Sequence, residues 1–163
     1  MVRAQVGKPV NDPATLRFAI GVFDAWANLD AAVRELSSVG ISQRAFNVLA
    51  LRRVLAPALP RQGSSATSLR DLPFPANPEV TAATTGPLAD CLAARLAAKA
   101  ETLASALGHW LIPRHAAQLQ GAVTAGKILL FVQLFDDEEE RRTYRSLLAR
   151  SSNSVGVHDL VGA

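Results

Sequence analysis

The chain has one cysteine, Cys91, among its 163 residues. A single thiol cannot close a disulfide within the chain, so the fold must depend on packing, as is typical of proteins from a reducing compartment. The sequence also opens without the basic and apolar regions of a signal peptide. We therefore expect a cytoplasmic protein.

Long apolar runs are lacking as well. The stretch 102–113 is one of the longest uncharged, apolar-leaning segments, and a membrane-spanning helix needs roughly 20 such residues. Aromatic residues are only 6% of the chain, whereas hydrophobic residues are 49%, which is ample for one core. We expect a single domain that does not insert into membranes.

The net charge of +3 is unevenly distributed. Up to Arg70 there are nine basic and four acidic residues, a net +5, and the remainder has eight basic and ten acidic residues, a net −2. Asymmetry of this kind indicates two differently solvated surfaces, a polyanion partner, or self-association of opposite faces.

A strand–helix–strand pattern occurs twice. In each copy an aspartate follows the first strand. The first copy has strands at Leu16–Phe23 and Phe46–Leu51, with Asp24 after the first of them. The second copy has strands at Ile128–Phe135 and Val155–Asp159, with Asp136 after the first of them. Both opening strands end in Phe-Asp, so we align the copies on that pair. Two such units closing one sheet predict an α+β ferredoxin-like sandwich, with a four-stranded antiparallel sheet in the order 4-1-3-2 or an order close to it.

Local signals bound the first unit. Asp24 is suited to cap the helix that follows, and Gly40 stands where that helix needs a left-handed residue. Arg52 and Arg53 follow the second strand, which predicts that this strand lies near an edge of the sheet.

The remaining regions have distinct compositions. Residues 1–14 lack periodicity and predict a flexible arm before a domain spanning 15–163. An insertion at 56–126 divides into a proline-rich loop over 56–85, with no regular structure before about Thr84, an alanine-rich helix over about 87–107, and a helix over about 113–125. Gly126 is expected to end the last of these.

The strand beginning at Ile128 is apolar on both sides, which predicts that both sides are covered. The two unit helices cover one face, so the alanine-rich helix, another part of the insertion, or a second copy must cover the other. We expect a shared ligand or interface surface there, comprising Arg17, Ala19, Gly21, Phe23, Trp110, Leu129, Phe131 and Phe135.

The acidic run Asp136–Glu140 suits a helix start, with a metal site as the alternative. In the helix that follows, Tyr144, Leu147 and Leu148 are predicted to face inward. Asp24 and Asp136 should lie at opposite edges of the sheet, which disfavours a catalytic carboxylate pair.

Other chemical motifs are weak. Gly121–Lys127 has the spacing of a phosphate-binding loop, but it follows a helix and lacks the final Ser or Thr. A zinc site at His109, His115 and Cys91 would need irregular spacing, and we favour isolated polar positions and a packed cysteine. We therefore expect no catalytic residues, metal or cofactor, and no enzymatic activity.

Two segments carry a family resemblance. GVFDAWANLDAAVRELSSVGISQRAFNVLAL and LIPRHAAQLQGAVTAGKILLFVQLFDDEEERRTYRSLL resemble the first and second halves of bacterial general-stress-protein domains, over about two-thirds of the chain. In place of the family's glycine-rich apolar hairpin, this chain has a proline-rich and then alanine-rich middle. The resemblance implies a stress-linked, non-enzymatic role and supplies no catalytic residues.

We expect a non-catalytic, stress-related or interaction protein whose partner is itself, as a homodimer or larger assembly. The first alternative is a small-ligand sensor with a pocket near Trp110, Phe131 and Phe135. The second is weak nucleic-acid binding through the basic first half, for which Arg17, Arg44, Arg52 and Arg53 would have to form one patch beside exposed aromatic rings.

Overall fold

The structure is a computed structural model that describes residues 15–55, 71–73, 80–83, 103–108, 111, 113–151 and 156–161. The predicted arm at 1–14, most of the proline-rich loop and most of the alanine-rich helix lie outside these residues. Trp110 and Cys91 lie outside them too, so the predictions for both remain predictions.

The described chain is an α+β structure, as predicted. The strands are β1 (Thr15–Phe23), β2 (Phe46–Leu51), β3 (Asp71–Pro73), β4 (Val80–Ala83), β5 (Ile128–Leu134) and β6 (Gly156–Val161). The helices are α1 (Trp26–Ser38), α2 (Arg52–Leu55), α3 (Leu103–Leu107), α4 (Pro113–Thr124) and α5 (Asp137–Arg150).

All six strands form one antiparallel sheet in the order β3-β4-β2-β5-β1-β6. The four strands expected from the repeat lie side by side, and β3 and β4 extend them. The prediction that β2 lies near an edge is wrong, because β4 and β5 pair with its two sides. All six residues of β2 are buried, so Arg52 and Arg53 begin a short helix rather than protect an edge.

The two added strands also correct the prediction of a structureless loop before Thr84. Val80–Ala83 pairs with β2, and Asp71–Pro73 pairs with β4 as the outermost described strand on that side. Proline is tolerated in an edge strand because its missing N–H can face outward. Pro73 is therefore compatible with the outer position of β3 among the described strands.

One face of the sheet packs against α1 and α5. Buried residues of β1, β2, β5 and both helices form one apolar cluster there, whose largest fully buried members are Phe23, Phe46, Leu29, Leu36 and Leu55. The helices also pack against each other, as expected for the two repeated units.

The opposite face of the sheet is also buried. Its side chains include Phe18, Ile20, Leu49, Leu129 and Phe131, none of them more than 3% exposed. Helix α4 packs against β2 and β5, and its buried residues lie outside the first cluster. The prediction that β5 is covered on both sides is confirmed, with α4 of the insertion contributing the second cover.

Two helices end in the same glycine motif, as predicted. Gly40 and Gly126 have φ of +100° and +91°. After α1, the N–H of Ile41 donates to Leu36 O and that of Gly40 to Ser37 O; after α4, Lys127 donates to Ala122 O and Gly126 to Val123 O. These paired bonds are the Schellman arrangement, which satisfies the last carbonyls of a helix.

Replacing Gly126 by alanine is expected to destabilise the protein by about 1–2 kcal/mol, because an L-residue pays that much in the left-handed region. A Cβ there would meet nothing within 4 Å, so the loss would come from the backbone alone. Gly121 is the matched control, since it lies inside α4, is exposed, and also has open space around it. Gly121→Ala should stabilise by up to about 1 kcal/mol, and urea denaturation that gave both variants the same sign would contradict this account.

Candidate functional site

The seven described residues of the predicted surface do not share a face. In an antiparallel pair, directly opposed residues point to the same side of the sheet. Ala19 lies opposite Val132 and Gly21 opposite Leu130, whereas Leu129 lies opposite Val22. Ala19, Gly21 and Phe23 therefore face α1 and α5, as does the partly exposed Arg17, while Leu129 and Phe131 face α4.

The described phenylalanines of the predicted surface also differ from one another in burial. Phe23 is fully buried, and Phe131 is 1% exposed and meets the ring of Phe18 edge-on at 6.3 Å between centroids. Phe135 is 66% exposed and lies beyond the end of β5. No open apolar sheet face is present among the described residues, so these side chains cannot act together on a ligand.

Aligning the two units on Phe-Asp gives a register that is wrong by one residue. The residue that precedes the first helical turn is Ala25 for α1 and Asp136 for α5, so Phe23 corresponds to Leu134 and not to Phe135. Phe23 and Leu134 both belong to the first core cluster. A shift of one residue moves every side chain of a strand to the other face, so the Phe-Asp alignment wrongly predicts Leu129 and Phe131 on the same face as Ala19 and Gly21.

Gly21 does allow a close approach, as predicted, but by a different element. A Cβ at Gly21 would lie 3.5 Å from both terminal carbons of Leu147 and 3.3 Å from Cε1 of Phe23. Leu147 belongs to α5. The small residues Ala19 and Gly21 therefore face a helix of the repeated unit and not the insertion.

The N-cap residue of α1 is Ala25, one residue after the predicted Asp24. The carboxylate of Asp24 accepts a hydrogen bond from Nζ of Lys127. Phe23 lies opposite Ile128, which puts Asp24 beside the lysine that precedes β5. Lys127 therefore holds the Asp24 carboxylate at the end of the sheet. No local sequence signal predicts this ion pair.

Asp136 caps α5 as predicted, because its Oδ1 accepts from the N–H of Glu139 at 2.8 Å. Glu139 in turn accepts from the N–H of Phe135 at 3.0 Å. The register places Asp136 at the end of the sheet opposite to Asp24, which confirms that the two aspartates are not a pair.

The weak motifs have structural roles. The segment Gly121–Lys127 ends α4 and enters β5, and its lysine is held by Asp24, so it lacks the geometry of a phosphate-binding loop. Among the described residues, no group of three or more His, Cys, Asp or Glu side chains could hold a metal ion.

The basic residues that would have to form one patch lie at two ends of the sheet. Arg17 and Arg44 are at the end where β5 finishes, and Arg52 and Arg53 follow β2 at the other end. The six residues of β2 separate them by roughly 20 Å. Arg17 is also engaged by Glu140, with Nε to Oε1 at 2.8 Å.

The outer side of α5 carries exposed apolar residues. Tyr144 is 39% and Leu148 is 55% exposed, although both were predicted to face inward with Leu147. The helix instead buries Thr143, Ser146 and Leu147. At about 100° per residue, Tyr144 and Leu148 lie roughly opposite to Ser146, which faces α1. Two apolar residues one turn apart on this helix therefore form an exposed stripe and not part of the core.

Helices α1 and α5 are joined by a polar cluster. Oε1 of Glu35 accepts from Nε of Arg150 at 2.8 Å and from Oγ of Ser146 at 3.1 Å. Arg142 donates to the carbonyl of Val39 at 3.3 Å. The Arg150 hydrogen bond holds the pKa of Glu35 below its usual value of 4.5, against the opposing effect of desolvation and with help from Ser146.

We expect Glu35→Gln to cost about 0.2–1 kcal/mol at neutral pH, the range for exposed ion pairs. Because the folded pKa is lowered, this contribution is present above the unfolded value and is lost as the pH falls through the folded pKa. Denaturation of both proteins across acidic pH should therefore show their difference shrinking below about pH 4.5. A gap that is unchanged in strong acid would contradict a charge-dependent contact.

Comparison of the chain with protein-family models, with curated proteins and with solved structures finds no match. None of the helices in the described part of the chain combines the length and apolar character that crossing a bilayer requires.

Proposed function

We propose that this protein is a non-catalytic interaction protein that works as a homo-oligomer on a ferredoxin-like framework. The adjacent order of β2, β5, β1 and β6, with α1 and α5 on one face, supports the framework. The resemblance of both units to general-stress-protein domains supports a stress-related role.

The observation that carries the proposal is the position of Tyr144 and Leu148. Both faces of the central sheet are occupied within the chain, by α1 and α5 on one side and α4 on the other. Self-association therefore does not require the sheet. Among the described residues, the large apolar side chains that remain exposed are Val39, Phe135, Tyr144 and Leu148, and of these Tyr144 and Leu148 lie one turn apart on the same side of α5. Tyrosine is among the residues enriched at protein interfaces.

The described residues offer less to the two alternative functions. The ring of Phe131 is buried and packs edge-on against the ring of Phe18, so it does not line an open pocket with Phe135. For nucleic acid, the only strongly exposed aromatic ring near Arg17 and Arg44 is Phe135 among the described residues. It adjoins the acidic run Asp136–Glu140, which would repel phosphates.

Sedimentation velocity of the purified full chain over a wide concentration range, with native mass spectrometry, tests the proposal. We expect a concentration-dependent shift from monomer to a larger species of defined subunit number. A protein that stays monomeric throughout, or that carries a bound small molecule at unit stoichiometry, would overturn it.

A further inference from the structure

The outer side of α5 has a pattern of charge as well as apolar side chains. We name the α5 stripe as Asp137, Arg141, Tyr144, Arg145 and Leu148, all of them exposed. Measured from Asp137 at about 100° per residue, the other four lie within roughly 80° of it. The stripe is thus one continuous side of the helix, turned away from α1.

The two ends of the stripe carry opposite charge. The first turn of α5 is wholly acidic, from Asp137 to Glu140, and all later ionisable groups of α5 except Tyr144 are arginines. Within the described residues, neither Asp137 nor Arg145 makes an ion pair, whereas Glu138 is shared by Arg141 and Arg142. One free anion and one free cation are therefore left two turns apart on one surface.

We propose that the α5 stripe binds the α5 stripe of a second copy in an antiparallel, two-fold symmetric contact. An antiparallel pair brings Asp137 of each copy within reach of Arg145 of the partner subunit, and the symmetry makes this ion pair twice. The same arrangement places Arg141 beside the two-fold axis, where Glu138 of the same helix already balances its charge. Tyr144 lies about one turn from Arg141 of the partner subunit, within reach of a guanidinium that can stack on the ring. A parallel pair would oppose like charges along the whole length.

This inference rests on the proposed self-association and names its surface. The stripe is short, so its area falls towards the lower end of specific interfaces. We therefore expect a weak dimer whose population depends on concentration and on salt, because exposed ion pairs are screened.

Charge reversal with complementation is the decisive experiment. Asp137→Arg alone and Arg145→Asp alone should each raise the dimer dissociation constant by about tenfold or more, since each change acts twice in a symmetric dimer. In an equimolar mixture of the two variants each introduced charge faces its opposite, so native mass spectrometry should detect the mixed dimer in excess of either homodimer. The double variant should recover the parent dissociation constant.

Arg53→Asp is the matched control, because Arg53 is exposed on α2 and the change in charge equals that of Arg145→Asp. It should leave the dimer unchanged, and circular dichroism should show every variant folded. Association that persists through both reversals, or that Arg53→Asp weakens equally, would overturn the α5 contact while leaving self-association standing. A parent protein that is monomeric at every concentration would instead overturn the proposed function itself.

Discussion

Replacing Phe23 by alanine is expected to lower the free energy of unfolding by about 3–5 kcal/mol, whereas the same change at Phe135 should alter it by no more than about 0.5 kcal/mol. Phe23 is fully buried in the cluster beneath α1 and α5, and its removal leaves a cavity. Phe135 is 66% exposed past the end of β5. The two residues look equivalent in sequence, since each precedes an aspartate at the end of an opening strand.

Urea denaturation at neutral pH measures both effects, provided that the denaturant slope stays unchanged. Leu134→Ala is the informative third variant, because Leu134 is the residue that corresponds to Phe23 when the two units are aligned on their helix starts. We expect a loss of about 2–5 kcal/mol there. Equal losses at Phe23 and Phe135 would restore the Phe-Asp alignment and refute the register described above.

Leu129→Ala and Leu130→Ala are expected to cost about 2–5 kcal/mol each, although their side chains point to opposite sides of β5. Both are fully buried, Leu130 beneath α1 and α5 and Leu129 on the face that α4 covers. A sheet with one solvated face would show a large loss at one position only. Comparable losses would establish that β5 has two dry sides.

Protein concentration separates the two ways of covering Leu129. If α4 of the same chain covers it, the difference in stability between Leu129→Ala and Leu130→Ala should be independent of concentration. Cover by a second copy would make the loss at Leu129 depend on concentration, because dimerisation then contributes to the stability of that face. Any dimer formed through the α5 stripe affects both variants alike and cancels in the comparison.

The roles of residues that depend only on nearby positions in the sequence could be predicted. The helix ends at Gly40 and Gly126 follow from the left-handed backbone that a Schellman motif needs, and the Asp136 cap follows from the free amides of the first turn. The two-sided burial of β5 could also be predicted, because an apolar residue at nearly every position leaves no side for water.

The sequence by itself determined the positions of the strands and helices of the two repeated units, the helix α4, and the enclosure of β5, because these depend on local backbone preferences and on hydrophobic pattern. Only the tertiary structure decided which side chains meet. The pairing of β1 with β5 divided the predicted surface between the two faces of the sheet. The pairing of Val80–Ala83 with β2 made part of a proline-rich segment into a strand. The position of Lys127 beside Asp24 gave that carboxylate an ion-pair partner from a distant part of the chain. These outcomes depend on contacts between residues far apart in the chain, which a local pattern does not encode.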